Sequence, residues 1–378
     1  MRSFKSFFLA SACGLCLPLC AQQHAGISGS QKLAGAGSSG RQHLPMQIPP
    51  ASSGAAATPT PGQMTLNVVV TDRSGKPVSG LEKADFTLLQ DKHPVPIEAF
   101  HAWDRSASGP PAGGFLAIDT VNIPYWRVAY VRQAVDAFLR ENKGHLAHPV
   151  SVLWITDTGV EVNSETTDNG NLLAQEVKAT SGKLRFLNRN AGSWGDIEQF
   201  QMSVQMLGQV VHALGRLPGR KLLIWLGPGW PMLDSPNIML DGKQQQGLFN
   251  EIVGLTSWMR QSQITLYSVS QGIANINADL YEGFLGPVRK PSQANPPNLA
   301  LKVLAVESGG IAMEPSNDLQ VGIDTCAAQA STYYTIGFET TPAHRPDEYH
   351  SLLVHVNKRG LIARTVTGYY AQPPQAKR

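Results

Sequence analysis

One carboxylate stands at the end of an apolar run: Gly113-Gly114-Phe115-Leu116-Ala117-Ile118-Asp119 leads into Thr120-Val121-Asn122-Ile123-Pro124. An acid at the tip of a buried parallel strand, ahead of a turn and a helix-opening proline, lies where open α/β sheets bind ligands. Asp119 is therefore the first candidate for metal or ligand chemistry. A second group, Trp225, Trp230, Met232 and Leu233, surrounds Gly227-Pro228-Gly229 at the end of another apolar run. These side chains make either a partner-binding mouth or ordinary core packing.

Other chemistries find less support. His145 and His148 have a spacing that zinc tolerates, with His93 and His101 as companions, but no Cys ligand or HExxH accompanies them. Solvated loop histidines are the expectation. Gly227-x-Gly229 lacks the third glycine and the acid of a dinucleotide site, and neither a GxxxxGK[ST] loop nor a GxSxG elbow occurs. Asp157 and Glu161 flank an expected hairpin turn, where polar residues are ordinary.

The elements that must position Asp119 read as a βαβ sheet. Val128, Val131, Val135, Phe138 and Leu139 recur at helical spacing after it, and Val150 to Ile155 is a second buried strand with Gly159 to Val162 as hairpin partner. Thr167-Asp168-Asn169 caps a helix through Leu172 and Val177. Ile197, Phe200, Val204, Leu207, Val211 and Leu214 carry the clearest amphipathic pattern. Strands at Lys221 to Leu226 and Ile264 to Val269 follow, with helices at Leu248 to Met259, Leu299 to Glu307 and Asp318 to Ala330. Gly272 to Pro297 reads as a long loop, and Gly309-Gly310-Ile311 as the lead of an edge strand.

Both ends of this region are β. Leu66, Val68 and Val70 alternate as a half-buried strand, Phe86 to Gln90 is a second and Val95 to Trp103 a third. At the far end Thr332 to Glu339 is a strand. Tyr349 to Asn357 and Leu361 to Tyr370 are paired across Lys358-Arg359-Gly360 as a hairpin. Neither set is stable alone, so the two sets are expected to form one split β domain.

Arg2 and Lys5 precede an apolar stretch from Phe7 to Leu19, too short for a membrane span, with Ala21 before a cleavage point. A secretory signal peptide over 1–21 is expected, with a lipid anchor at Cys20 as the alternative. Residues 22–63, mostly Gly, Ser, Ala, Pro and Gln, read as a disordered linker. Cys13, Cys16 and Cys20 fall in the leader, which leaves Cys326 alone and no intrachain disulfide. With 42% hydrophobic residues, 16% charged and a net charge of +3, the chain has ample core and no basic stripe, so nucleic-acid binding is not expected.

Val70 to Val78 (VTDRSGKPV) followed by Leu81 to Asp91 (LEKADFTLLQD) resembles the opening of the von Willebrand factor type A-related proteins abundant in Acidobacteria. Tyr333 to Phe338 and Gly368-Tyr369-Tyr370-Ala371 resemble that family's ending, and Ile118 to Asn122 its variant first-strand motif. The resemblance covers Met64 to Ala371. It implies a Rossmann-like, doubly wound, mostly parallel α/β domain over 113–330. A flanking β domain would be built from 64–104 and 331–371. A standard A domain holds Mg²⁺ at a metal-ion-dependent adhesion site that reads Asp-x-Ser-x-Ser, with a Thr from a second loop and an Asp ending the fourth strand. Here Asp119 matches the first position and Thr167 the Thr. Val121 and Ile123 replace the two serines, and Gly227-Pro228-Gly229 replaces the last Asp.

Two readings of the edge remain open. In the metal reading Asp119, Asn122 and Thr167 are ligands, with Asp234 reaching in. In the structural reading Asp119 caps the helix or accepts backbone N–H bonds, and Mg²⁺ or Mn²⁺ binds at most weakly. The expected function is a secreted or envelope-associated, non-enzymatic module. It would bind a protein or surface partner through Asp119, Asn122, Thr167, Gly227, Gly229 and Trp230. A metal-assisted hydrolase at the same edge and an envelope assembly scaffold are the alternatives.

Overall fold

The computed structural model describes residues 62–104, 112–162, 166–181, 193–233, 240–270 and 280–373. The expected leader, Cys20, most of the linker and Asp234 lie outside the described residues.

Strand β1 (Gln63–Thr71) opens the chain, followed by β2 (Phe86–Gln90), β3 (His93–Val95) and β4 (Ala99–Trp103). The stretch read as one strand from Val95 to Trp103 is therefore two. β3 pairs with β2 and β4 joins a different sheet, because Pro96 interrupts the ladder between them.

The α/β region follows: β5 (Ala112–Asp119), α1 (Tyr125–Arg140), β6 (His145–Thr156), β7 (Gly159–Val162), β8 (Thr167–Asn169), α2 (Gly170–Ser181) and α3 (Ser193–Gly215). It continues with β9 (Arg220–Leu226), α4 (Gly242–Gln261), β10 (Ile264–Val269), α5 (Leu301–Glu307) and α6 (Leu319–Ala328). The central sheet runs β10-β9-β5-β6-β7, with β8 also on β6. β10, β9, β5 and β6 are parallel, and β7 and β8 are antiparallel to β6. From β5 the chain steps first to β6 on one side and later to β9 on the other, so the strand order reverses at β5.

Both sheet faces are covered, which is why the central stretches of the parallel strands are mostly apolar. Phe115, Ala117, Leu153, Ile155, Leu223 and Trp225 pack under α3, α4 and α5. The alternate residues Leu116, Ile118, Val152, Trp154, Leu222 and Ile224 pack under α1, α2 and α6. Of the loop read over Gly272 to Pro297, residues 272–279 lie outside the described residues, and short 3₁₀ turns occupy Leu280–Phe284, Pro291–Gln293 and Pro296–Leu299. The edge strand expected after Gly309 is reduced to one isolated bridge, Ala312 beside Ser268.

The C-terminal strands are β11 (Tyr333–Glu339), β12 (Glu348–Val356), β13 (Ile362–Arg364) and β14 (Gly368–Ala371). They interleave with the N-terminal ones in two antiparallel sheets, β13-β1-β11-β4 and β14-β12-β2-β3. The sheets share one core of Leu66, Val68, Phe86, Leu88, Tyr334, Ile336, Phe338, Leu352 and Val354. The hairpin expected across Lys358-Arg359-Gly360 does not form. The chain crosses to pair β13 with β1, then returns to pair β14 with β12. The protein is thus α/β with a mixed, mostly parallel central sheet and flanking antiparallel sheets.

Candidate functional site

Asp119 ends β5 at the strand-order reversal, with its side chain on the α3 face and 0% exposed. Its Oδ1 accepts from the backbone N–H groups of Val121 (3.1 Å) and Asn122 (3.0 Å). Its Oδ2 accepts from Asn122 Nδ2 (2.7 Å) and Trp225 Nε1 (2.8 Å). Burial pushes the carboxyl above its usual range, and these four donors offset only part of that rise.

The loop after Asp119 is held from three directions. Thr120 binds β6, its N–H and Oγ1 both donating to the Ile155 carbonyl. The Ile123 N–H donates to the Asp119 carbonyl at 3.0 Å. From α3, Gln199 Nε2 donates to the Val121 carbonyl, while Ser203 Oγ accepts from Asn122 Nδ2 and donates to the Gln199 carbonyl. Asn122 Oδ1 is buried without a partner.

Gly227 stands directly beside this carboxylate. A Cβ there would lie 3.1 Å from Asp119 Cβ and 3.6 Å from Oδ2, so the close approach of the two strand ends depends on glycine. Gly229 follows in the left-handed region at φ +90°.

The donor set does not fit Mg²⁺. A hexacoordinate hard cation needs converging oxygens, whereas both Asp119 oxygens are already taken by N–H groups and Asn122 turns its amide nitrogen, not its oxygen, to the acid. Thr167 is on the wrong edge. It pairs with Val150, while Asp119 pairs with Ile155, five residues or roughly 16 Å further along β6. The hairpin at β7 sends the chain back down the sheet, and Thr167 Oγ1 there accepts from the Asn169 N–H. Among the described residues no three His, Cys, Asp or Glu side chains are grouped so as to hold a metal, the His145 and His148 region included.

Trp230 needs a second correction. It is only 6% exposed and packs edge-on against Trp225 (5.7 Å) and Phe200 (6.5 Å), so the supposed mouth is core. Leu233 is buried in the same cluster.

The surface that the loop does present is aromatic. Pro124 caps α1, and the first helical residues, Tyr125 and Trp126, are each 71% exposed. Arg127 lays its guanidinium 4.5 Å from the Trp126 ring centre. One turn on, Tyr130 donates its hydroxyl to the Asn317 carbonyl. The sequence signal was two bulky aromatics just before the Val128–Val131–Val135 stripe, in a helix turn that overhangs the sheet.

No family model matches the sequence, and no curated protein matches it. Among solved structures the chain is similar to the human COPII-coat protein Sec24c, with 10% identity, 70% of this chain and 44% of that chain covered, and a TM-score of 0.32. It is similar to a point mutant of the PilB minor pilin from Streptococcus sanguinis (9% identity, 60% and 63% covered, TM-score 0.35). The SpRpn10 VWA domain is a third (12% identity, 57% and 94% covered, TM-score 0.26). The chain thus spans under half the length of Sec24c and under two thirds of the pilin.

Proposed function

We propose that this chain is an exported, secreted or envelope-associated, non-enzymatic interaction module of the von Willebrand factor A type. It binds a protein or cell-surface partner at the C-terminal edge of its sheet, through a degenerate adhesion site that needs no divalent ion. The carrying observation is the pair Tyr125 and Trp126, exposed in the first turn of α1 directly after the loop that buried Asp119 holds in shape. Large aromatics beside an arginine, rigidly presented, are the side chains that dominate binding energy at interfaces. Asp119 here shapes the loop and touches no partner.

Affinity capture from an envelope extract tests this. The mature protein is expected to retain a partner in EDTA and to lose it on Trp126→Ala. Capture that survives Trp126→Ala, or that disappears in EDTA, would sink the reading.

A further inference from the structure

Where the central sheet meets the flanking β layer, two arginines are buried together with no acid paired to either among the described residues. Arg220 opens β9 and is 1% exposed, and Arg364, half-buried, lies on β13. Both converge on Gln329, which is itself fully buried just past α6. Arg220 Nη1 donates to the Gln329 carbonyl at 2.8 Å, and Arg364 Nη2 donates to Gln329 Oε1 at 3.1 Å. The Tyr267 hydroxyl donates to that same Oε1 at 3.1 Å and also meets the Arg220 guanidinium. Arg364 Nη1 reaches Thr71 Oγ1, and the Arg220 guanidinium lies 4.6 Å from the Tyr333 ring centre.

Three donors in this cluster have no acceptor: Arg220 Nε, Arg364 Nε and Gln329 Nε2 are all buried and unpaired. Neither guanidinium forms an ion pair among the described residues. The nearby groups that could ionise, Tyr267, Tyr333 and Cys326, are held neutral by burial. Tyr267 is pushed up to about 12, and the Cys326 thiol is also raised. Water in the cluster would satisfy N–H groups and leave both charges uncompensated. A small anion would accept from the unpaired N–H groups and offset one of the two charges, because buried guanidinium is retained where it is paired and hydrogen-bonded.

The geometry points to a binding site for one small monoanion, of halide size, among Arg220, Arg364 and Gln329, joining the α/β region to the β layer. The acceptor is a single compact anion because the three unpaired nitrogens, Arg220 Nε, Arg364 Nε and Gln329 Nε2, are closed to solvent.

The test is an exchange of gluconate, too large for a buried site, for bromide at constant ionic strength on the full chain. The apparent Tm is expected to rise saturably by about 3 to 5 °C, as binding to the folded state alone requires. Arg364→Met, which removes one of the two charges, is expected to fold and to lose the bromide dependence. Crystals grown in bromide should show an anomalous peak within hydrogen-bonding distance of Arg220 Nε and Gln329 Nε2. Equal Tm in both salts, or density at that position without anomalous signal, meaning water alone, overturns the proposal. So does a bromide response that Arg364→Met leaves intact.

Discussion

Trp225 and Asp119 lie on adjacent parallel strands, and the indole Nε1 of Trp225 donates to Asp119 Oδ2 at 2.8 Å. Trp225 sits opposite Ala117 in the ladder, so the ring leans along β5 to reach the acid two residues on. The bond ties the end of β5 to the packed centre of the molecule, since the same indole packs edge-on against Trp230.

Asp119→Ala strands Trp225 Nε1 and the Val121 and Asn122 N–H groups at a fully buried position. Each unmade buried bond costs about 1 to 3 kcal/mol, so a loss of about 3 to 5 kcal/mol is expected in urea unfolding. Asp119→Asn, which keeps one acceptor oxygen, should lose about half as much. Calorimetric titration of the unmodified protein with Mg²⁺ should show no saturable heat; a micromolar dissociation constant that Asp119→Ala abolishes would contradict the reading.

Tyr125→Ala and Trp126→Ala remove side chains that are mostly in water, so stability should stay within about 0.5 kcal/mol. Partner affinity, read by surface plasmon resonance against the captured partner, should fall by about 2 kcal/mol, roughly thirtyfold, for Trp126→Ala. A large stability loss with unchanged affinity would make these residues structural.

Gly227→Ala places a methyl 3.1 Å from Asp119 Cβ, and backbone on both sides limits how far either strand end yields. A cost of about 1 to 2 kcal/mol is expected from this overpacking. Because the added methyl presses on the carboxylate, the Trp225 fluorescence environment should shift with it. An unchanged spectrum together with unchanged stability would show that the strand ends are looser than their spacing indicates.

Glu307 lines a cavity of about 30 Å³ with Met259, Leu304, Tyr349 and Tyr370, and burial raises its carboxyl to about 8. The folded state therefore holds a proton that the unfolded chain releases near 4.5. Between those values the unfolded state binds fewer protons, so stability falls as pH rises from about 4.5 to about 8 and levels off above. Asp324, raised to about 6, adds to the lower part of that slope. Glu307→Gln should flatten the Tm profile between pH 6 and 8 and be the more stable protein at pH 8. Parallel profiles for the two proteins would remove Glu307 as the cause.

The α/β class was legible because strands buried on both faces cannot alternate: Phe115 to Ile118 and Leu222 to Leu226 are apolar throughout and separated by helical stripes. Asp119 was legible for the same reason, as the first charge after such a run. Thr167 was not, because motif spacing carries no strand direction, and only the β7 reversal shows that it returns to the opposite edge. Trp230 was ambiguous since an aromatic beside Gly-Pro-Gly reads alike whether it faces solvent or Phe200. The stretch from Leu361 to Tyr370 looked like one strand because the change of sheet takes only Thr365, Val366 and Thr367, too few residues to leave a compositional mark.

Strand β1 takes its first partner from β11, with Leu66 opposite Ile336, a separation of 336 − 66 = 270 residues, and its second from β13. A chain emerging from the ribosome N-terminus first therefore presents β1, and the edge of β2 that β12 will cover, long before the residues that close them exist. The α/β region, whose parallel strands all lie between Ala112 and Val269, has no such wait. Truncations that remove β11 to β14 should thus leave the central sheet folded while exposing two apolar strands at the other end, and aggregation should track the loss of Tyr333 to Ala371.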